Sequence, residues 1–326
     1  IIYFIKEFHL GQDIYNQLKI FNFPDHLKEI KKGKIPSPIH VRIKPTNSCN
    51  HHCWYCAYKS QSLSLGRDMR IQDSIPELKM YEIIKDLIEM EVHAITFSGG
   101  GEPLSYPYLA QCLEKISKSK IKIGVITNGS LLTGKIADLL AEFGTWIRIS
   151  MDSWSDESMM KARSVRSGEF EKIKNNIHQF SKRRSNCSLG ISFIVDKNNY
   201  KEIKGFCEQM YEIGVQHVKI SGCVVSDKSL ENNRYHKEIR KEVLEQIQRA
   251  EQLTNDNFSI VNHYHGLDGN FKKPYEACRI SKLLTIIGAD MKIYRCQDKA
   301  YTGEGLLGNI KDTSFKDVWF SKKNIE

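Results

Sequence analysis

The stretch Lys44–Tyr58, "KPTNSCNHHCWYCAY", sets three cysteines, Cys49, Cys53 and Cys56, within eight residues. It follows directly on "IHVRIK" (39–44), whose alternation of apolar and polar residues predicts a strand. Thiols with three and two residues between them, at the end of a strand, can converge on one inorganic centre. Structural zinc normally takes four protein ligands, and no fourth cysteine lies nearby. His51 and His52 sit inside the loop between two of the cysteines, where simultaneous coordination would be strained. A zinc knuckle is therefore the weaker alternative. Three thiolates suit a [4Fe–4S] cluster that keeps one iron open for a small molecule.

Working outward, five more strand-like runs follow: "HAITFSG" (93–99), "KIGVIT" (122–127), "TWIRISMD" (145–152), "LGISFIVD" (189–196) and "HVKISG" (217–222). Helical spacing fills the intervals. Met80, Ile83, Ile84 and Leu87 fall at i, i+3, i+4, i+7 behind a Ser74…Glu77 capping box. Leu109, Cys112, Leu113 and Ile116 repeat the spacing, as do Ile136, Leu139, Leu140 and Phe143, and Ile203, Phe206, Cys207 and Met210. Six βα units in a row predict a parallel sheet with right-handed crossovers. A closed eight-stranded barrel needs two more units that the pattern does not supply, so a partial (βα)6 barrel is expected. After about residue 225 the rhythm changes. A long polar helix (231–253) leads into an irregular aromatic stretch, "FSIVNHYHGLDGNFKKPYEAC", then strand-like "LLTIIGAD" and "MKIYRCQD" and the tail "LLGNIKDTSFKDVWFS". These predict a small α+β unit.

The 326 residues suffice for one large α/β domain with an appendage, and 40% hydrophobic with 27% charged residues is ordinary for an enzyme. No apolar run approaches the roughly 20 residues of a membrane span. The opening "IIYFIKEFHLG" carries Lys6 and Glu7 and no cleavage site, so no signal peptide is expected. Nine cysteines without a secretory signal point to metal binding or catalysis in a reducing cytoplasm, not to disulfides. The net charge of +9 is read as Lys and Arg spread over helical surfaces, with "SKRRSN" (181–186) and "RYHKEIRKE" (234–242) as solvated faces. No basic patch is interleaved with aromatics, so nucleic acid is not an expected partner. Cys112 and Cys207 sit on apolar helix faces as structural residues. Cys187, in a basic polar loop, is expected at the surface or its boundary.

The pattern Cys-x3-Cys-x2-Cys, with Tyr55 before its last cysteine, resembles the signature of the radical S-adenosylmethionine (radical SAM) superfamily. "FSGGGEPL" (97–104) resembles that family's glycine-rich GGEP motif, with one glycine more than its common form; "ITNGSLL" (126–132) resembles its strand-three end. "IRISMDSWSDESMMKARS" resembles its strand-four segment. The resemblance implies a [4Fe–4S] cluster on Cys49, Cys53 and Cys56, and SAM held by Tyr55, Gly100, Gly101, Glu102, Asn128, Ser150, Asp152 and Arg163. Glu102 and backbone groups would meet the methionine ammonium. Ser150 and Asp152 would face the ribose, and Arg163 would pair with the methionine carboxylate. The implied chemistry is one-electron cleavage of SAM to methionine and a 5′-deoxyadenosyl radical, which takes a hydrogen atom from a substrate. A flavodoxin- or ferredoxin-type reductant is the implied electron source.

Cys278 and Cys296 flank an expected hairpin, and with the "DVWFS" tail they resemble the twitch or SPASM domain of many radical SAM enzymes. Such domains hold auxiliary clusters, so an auxiliary [4Fe–4S] cluster on Cys278 and Cys296 is implied. No cysteine follows Cys296; the resemblance implies a further Cys-x2-Cys pair beyond Glu326, with Cys223 the other candidate ligand. The expected organisation is an N-terminal extension (1–37), the barrel (38–225), a helical and irregular connector (226–277) and the auxiliary unit (278–326). Cys223, at the end of the sixth strand, is a candidate hydrogen donor to a substrate radical, a cluster ligand or a pocket-lining residue. His263, Tyr264 and His265 are read as loop contacts before catalytic groups. The leading expectation is oxidation of a sugar- or cyclitol-type alcohol, with a small, anionic or nucleotide-linked substrate. Epimerisation through Cys223 and peptide maturation are the alternatives.

Overall fold

The computed structural model describes residues 17–183, 185–264 and 278–325. All six expected strands form: β1 (His40–Ile43), β2 (Ala94–Phe97), β3 (Lys122–Thr127), β4 (Gly144–Ser150), β5 (Ser188–Val195) and β6 (His217–Gly222). They lie side by side in chain order and pair in parallel. A seventh parallel strand, β7 (Ser259–Asn262), extends the sheet beyond β6. It falls in the stretch read as irregular, because four residues set among polar neighbours leave no visible period. The sheet is not closed; its order is β10-β9-β8-β1-β2-β3-β4-β5-β6-β7.

The expected hairpin is β8 (Leu284–Ile287) and β9 (Lys292–Tyr294), followed by β10 (Leu306–Asn309). Its placement was not legible in the sequence. β8 pairs in parallel with β1, His40 opposite Leu284, so the C-terminal strands continue the barrel sheet and cover the β1 edge.

Strand alternation sorts the side chains. Val41, Ile43, Ile95, Phe97, Val125, Ile147, Ile149, Phe193 and Val218 are buried in the main core with the helices. The helices Glu77–Glu89, Leu109–Ser117 and Ile203–Ile213 bury the apolar positions their spacing predicts; in Gly134–Phe143 only Leu140 of the expected four is buried, Ala137 shares its place in the core, and Phe143 is exposed because it ends the helix where the chain turns into β4. The other strand face is polar and only half-buried at Arg42, Arg148, Ser192, Lys219 and Ser221.

Three local expectations change. The Ser74…Glu77 capping box does not form: Pro76 occupies the cap, and Ser74 is drawn into a bridge with Thr46. The polar helix over 231–253 is two helices, Ser229–His236 and Arg240–Glu251. Cys187 is buried, not at the surface, since the chain turns inward there to start β5; burial pushes its thiol up to about 12. Cys112 and Cys207 are buried as expected. His265 lies outside the described residues.

The short helix Phe315–Trp319 closes the C-terminal unit. The Trp319 indole donates to the Pro36 carbonyl at 2.9 Å, and its ring stacks on Phe315. Replacing Trp319 by Ala removes a buried aromatic and one hydrogen bond. We expect a loss of about 3–5 kcal/mol in urea unfolding.

Candidate active site

The cysteine loop leaves the end of β1 and is tied down on three sides. The His52 N–H donates to the Arg163 carbonyl (2.8 Å) and the Trp54 N–H to the Ala162 carbonyl (3.1 Å), docking the loop on the helix Asp156–Arg163. Asn50 reaches the end of β3: its amide donates to Ser130 Oγ (2.7 Å), and its Oδ1 accepts from Asn128 Nδ2 (2.8 Å). On the third side Tyr58 bonds to Lys44 Nζ at 2.5 Å.

Cys49, Cys53 and Cys56 are half-buried and free. Burial pushes the Cys49 thiol up to about 11, and Glu102 and Cys53 add to the rise; burial also raises Cys53, against the pull of Arg163. Cys56 in turn acts on Cys53, so the three thiols share one neighbourhood. A metal is what converts such thiols to thiolates, with release of protons. Among the described residues no group of three or more His, Cys, Asp or Glu side chains is drawn together tightly enough for a single metal ion. A [4Fe–4S] cluster asks for something else, since each thiolate takes a separate iron. Three thiols on one tethered, half-open loop fit that donor set. The neighbouring histidines are engaged elsewhere: His51 Nε2 lies 3.3 Å from Glu169, and His52 Nδ1 lies 3.2 Å from Lys59 Nζ.

The glycine-rich loop after β2 packs against the start of the cysteine loop. The Gly101 N–H donates to the Thr46 carbonyl (3.1 Å) and the Glu102 N–H to the Ser48 carbonyl (2.9 Å). A Cβ at Gly100 would collide with the Asn47 side chain, and one at Gly101 with the Ser48 carbonyl. Both glycines are therefore required for the approach of one loop to the other. The Glu102 carboxylate is buried and accepts from Thr127 Oγ1 (2.6 Å), Asn128 N–H (2.7 Å) and Leu104 N–H (2.9 Å). Burial raises its pKa, opposed by these bonds.

Beyond β4 the structure brings Tyr55, Asp152 and Arg163 together. Arg163 Nη2 lies 2.8 Å from Asp152 Oδ1 and both side chains are almost wholly buried. Burial opposes the guanidinium charge, but Asp152 more than offsets it and the pKa of Arg163 ends well above its ordinary value. The arginine thus has an in-chain partner that the sequence did not reveal. The Tyr55 hydroxyl is buried beside this pair and meets no partner at hydrogen-bond geometry. A cavity of about 590 Å³ opens here, with Tyr55, Asp152, Ser153, Asp196 and Asn199 in its wall. Ser150 stands half-buried at the end of β4.

Cys223 is buried just past β6, its thiol pushed up by burial to about 12. Its carbonyl bonds to His236 Nε2 (2.9 Å), and His236 Nδ1 to Tyr264 Oη (3.0 Å). Tyr264 is thus a packing residue of this network, a role that the aromatic loop pattern did not disclose. Cys278 is exposed and Cys296 half-buried; Cys278 acts electrostatically on Cys296. Gln297, beside Cys296, bonds to Arg42 (2.9 Å), to Lys44 Nζ (3.2 Å) and to the Tyr58 hydroxyl. The inner-face cations Arg42, Lys44, Arg148 and Lys219 were not singled out in the sequence; their signal was a basic residue on the polar side of the alternation in "HVRIK", "WIRIS" and "HVKIS".

Comparison with known proteins gives the same frame. The chain is 26% identical over 177 residues to an S-adenosylmethionine-dependent nucleotide dehydratase of Lacinutrix mariniflava, covering 52% of this chain and 35% of that one. It therefore spans about a third of that relative's length. It is 21% identical over 319 residues to a tungsten-containing aldehyde ferredoxin oxidoreductase cofactor-modifying protein of Pyrococcus furiosus, covering 87% and 81%. Among solved structures, SuiB of Streptococcus suis bound to its precursor peptide SuiA superposes with a TM-score of 0.66 at 18% identity, over 94% of this chain and 70% of SuiB. Among the described residues no helix is long and apolar enough to cross a membrane. The family profile of the radical SAM superfamily matches residues 43–210, just over half of the chain, and the protein is an enzyme of the radical SAM superfamily.

Proposed function

We propose that this enzyme oxidises a carbinol of a small polar substrate, of sugar or cyclitol type, with Cys278 and Cys296 holding part of an auxiliary [4Fe–4S] cluster in residues 278–326. The superfamily uses a [4Fe–4S] cluster and SAM. When bound to Cys49, Cys53 and Cys56, that cluster supplies the electron that cleaves SAM to methionine and the 5′-deoxyadenosyl radical. The remaining work falls to the chain. Tyr55, Asn128, Ser150 and Asp152 border the space for SAM, while Glu102, Gly100 and Gly101 hold the loops that shape it. Oxidation of a carbinol gives up a hydrogen atom to the radical, a proton to water and an electron to an acceptor. The observation that carries this reading is the Lys44 side-chain nitrogen, which bonds to Tyr58, two residues after Cys56, and to Gln297, next to Cys296. Lys44 thereby joins the cysteine loop to the segment that carries Cys296, which supports an electron acceptor on that side.

A second reading is supported by Cys223. Its buried thiol keeps its proton, and a neutral S–H is the form that donates a hydrogen atom to a carbon radical. In D₂O, epimerisation transfers solvent deuterium from Cys223 to the substrate carbon, and Cys223→Ala abolishes that label. Dehydrogenation leaves no such label in the wild-type enzyme.

Two measurements test the assignment of the cysteines and the buried pair. After anaerobic reconstitution, the triple Cys49/Cys53/Cys56→Ala variant of the full-length protein is expected to keep about four irons and a cluster EPR signal. No remaining iron would remove the auxiliary acceptor. Asp152→Asn leaves the Arg163 charge buried without its carboxylate, and we expect a loss of about 3–5 kcal/mol of stability in urea. Unchanged stability with weakened SAM binding would instead make Asp152 a ligand contact alone.

A further inference from the structure

The C-terminal unit holds the cysteine loop at both of its ends. At the start, two residues before Cys49, Asn47 is wholly buried and both polar atoms of its side chain are bonded. Its Oδ1 accepts from the Tyr301 hydroxyl at 2.6 Å, and its Nδ2 donates to the Arg70 carbonyl at 2.9 Å. The Tyr301 hydroxyl in turn accepts from the Ala289 N–H at 3.0 Å, just past β8. At the far end, two residues after Cys56, the Tyr58 hydroxyl bonds to the Gln297 amide and to Lys44 Nζ. Gln297 Oε1 is itself fixed by Arg42 Nη1 at 2.9 Å.

The chain that follows the loop is gripped by the same unit. The Gly66 N–H donates to the Ala300 carbonyl (3.2 Å) and the Asp68 N–H to the Tyr301 carbonyl (3.0 Å). Leu65 and Met69 pack on the small apolar cluster of Ile286, Tyr294, Ala300 and Tyr301. Two features mark how closely these segments are fitted. Tyr301, wholly buried, has a φ of 55°, in the left-handed region that a residue with a Cβ seldom enters. Such strain persists where the surroundings over-determine it, and it clusters at functional sites. Gly100 passes so near Asn47 that a Cβ there would collide with Oδ1, the atom that Tyr301 holds. The Tyr301 contact therefore bears on the glycine-rich loop as well as on the cysteine loop.

We propose that Tyr301 and Gln297 are positioning residues for the SAM-binding cluster, acting through Asn47 and Tyr58 at the two ends of the cysteine loop. Three thiolates have to meet three irons in a fixed relation, and a loop has no ladder of its own to hold them there. Glu102 and Asn128 steady this loop from the barrel side. Tyr301, 254 residues from Asn47 in the chain, and Gln297 steady it from the other. Removing a group that orients metal ligands typically changes affinity or activity about 10–100-fold. The C-terminal unit thus serves SAM cleavage whether or not Cys278 and Cys296 carry a cluster, so the inference stands apart from the alcohol-oxidation reading.

Tyr301→Phe removes one hydroxyl and keeps the ring; Gln297→Met removes the amide at similar length. Each is compared with the wild type and with Trp319→Ala, which weakens the same unit at its contact with Pro36. The metal-free full chain is followed by hydrogen exchange, and the reconstituted holoenzyme by EPR during titration with SAM. The SAM-dependent part of the signal isolates the cluster on Cys49, Cys53 and Cys56 from any on Cys278 and Cys296. In both variants, exchange over residues 45–58 is expected to be about tenfold faster, and the EPR change to need about tenfold more SAM. Trp319→Ala is expected to lower the melting temperature and leave both readouts near wild type. The EPR titration decides the role: an unchanged SAM dependence in both variants, or the same change in Trp319→Ala, overturns the proposal even where exchange is faster. A change in one variant alone assigns the role to that residue and overturns it for the other. Should the variants not fold, native-state hydrogen exchange of the wild type in increasing urea decides. Opening of residues 45–58 together with 296–302 supports the clamp, and opening of either segment while the other stays protected overturns it.

Discussion

The Glu102 carboxylate is the constraint on which the site depends. It is buried, and its two oxygens accept from Thr127, from the Asn128 backbone and from the Leu104 backbone. That joins the loop after β2 to the end of β3. Asn128 then passes the restraint to Asn50, which lies within the cysteine loop. The Glu102 N–H closes the circuit on the Ser48 carbonyl, one residue before Cys49. Three strand ends are thereby held as one unit. Hydrogen bonds to a charged group are worth more than neutral ones, and each donor here would be left buried without it. A cluster loop has to present three thiols in a fixed relation, and this circuit supplies the rigidity that a loop lacks by itself.

How far the sequence disclosed this depends on the range of the interaction. Strands, helices and the three thiols are written in local periods and spacings, and β1 to β6 appear where alternation places them. β3 and β6 match their expected bounds residue for residue. The cysteines and glycines could be named because backbone geometry and ligand chemistry restrict which residue types serve there. Contacts between distant segments left no such trace. The Asp152–Arg163 pair, the parallel docking of β8 on β1 and the Lys44 bridge between Tyr58 and Gln297 each join positions whose neighbourhood only the fold decides. β7 was missed for a different reason: four residues are too few to establish a period against polar flanks.

Charge was the most misleading quantity at the level of composition. A net +9 reads as a solvated surface when Lys and Arg are assumed to lie on helices. Much of it does lie there, in pairs such as Lys204–Glu208 and Arg183–Asp138. Such exposed pairs contribute little. The charges with consequences are the few on strands, where period-two alternation turns a basic residue toward the polar face and its apolar neighbours toward the helices. A cation within a strand is costly to bury, so its presence in β1, β4 and β6 together is a stronger signal than the total.

The two buried charge arrangements also divide the site by chemistry. Around Asp152 and Arg163 the charges cancel, and the wall of the neighbouring cavity sets the carboxylates of Glu157 and Asp196 against the ammonium of Lys161. A wall that carries both signs of charge suits a zwitterionic group. Arg42, Arg148 and Lys219 share the polar strand face, and Asp298 acts on Arg42 from the C-terminal unit. Two guanidiniums of the site are thus each met by a carboxylate, Asp152 at Arg163 and Asp298 near Arg42, so that neither charge stands alone in the low dielectric of the interior.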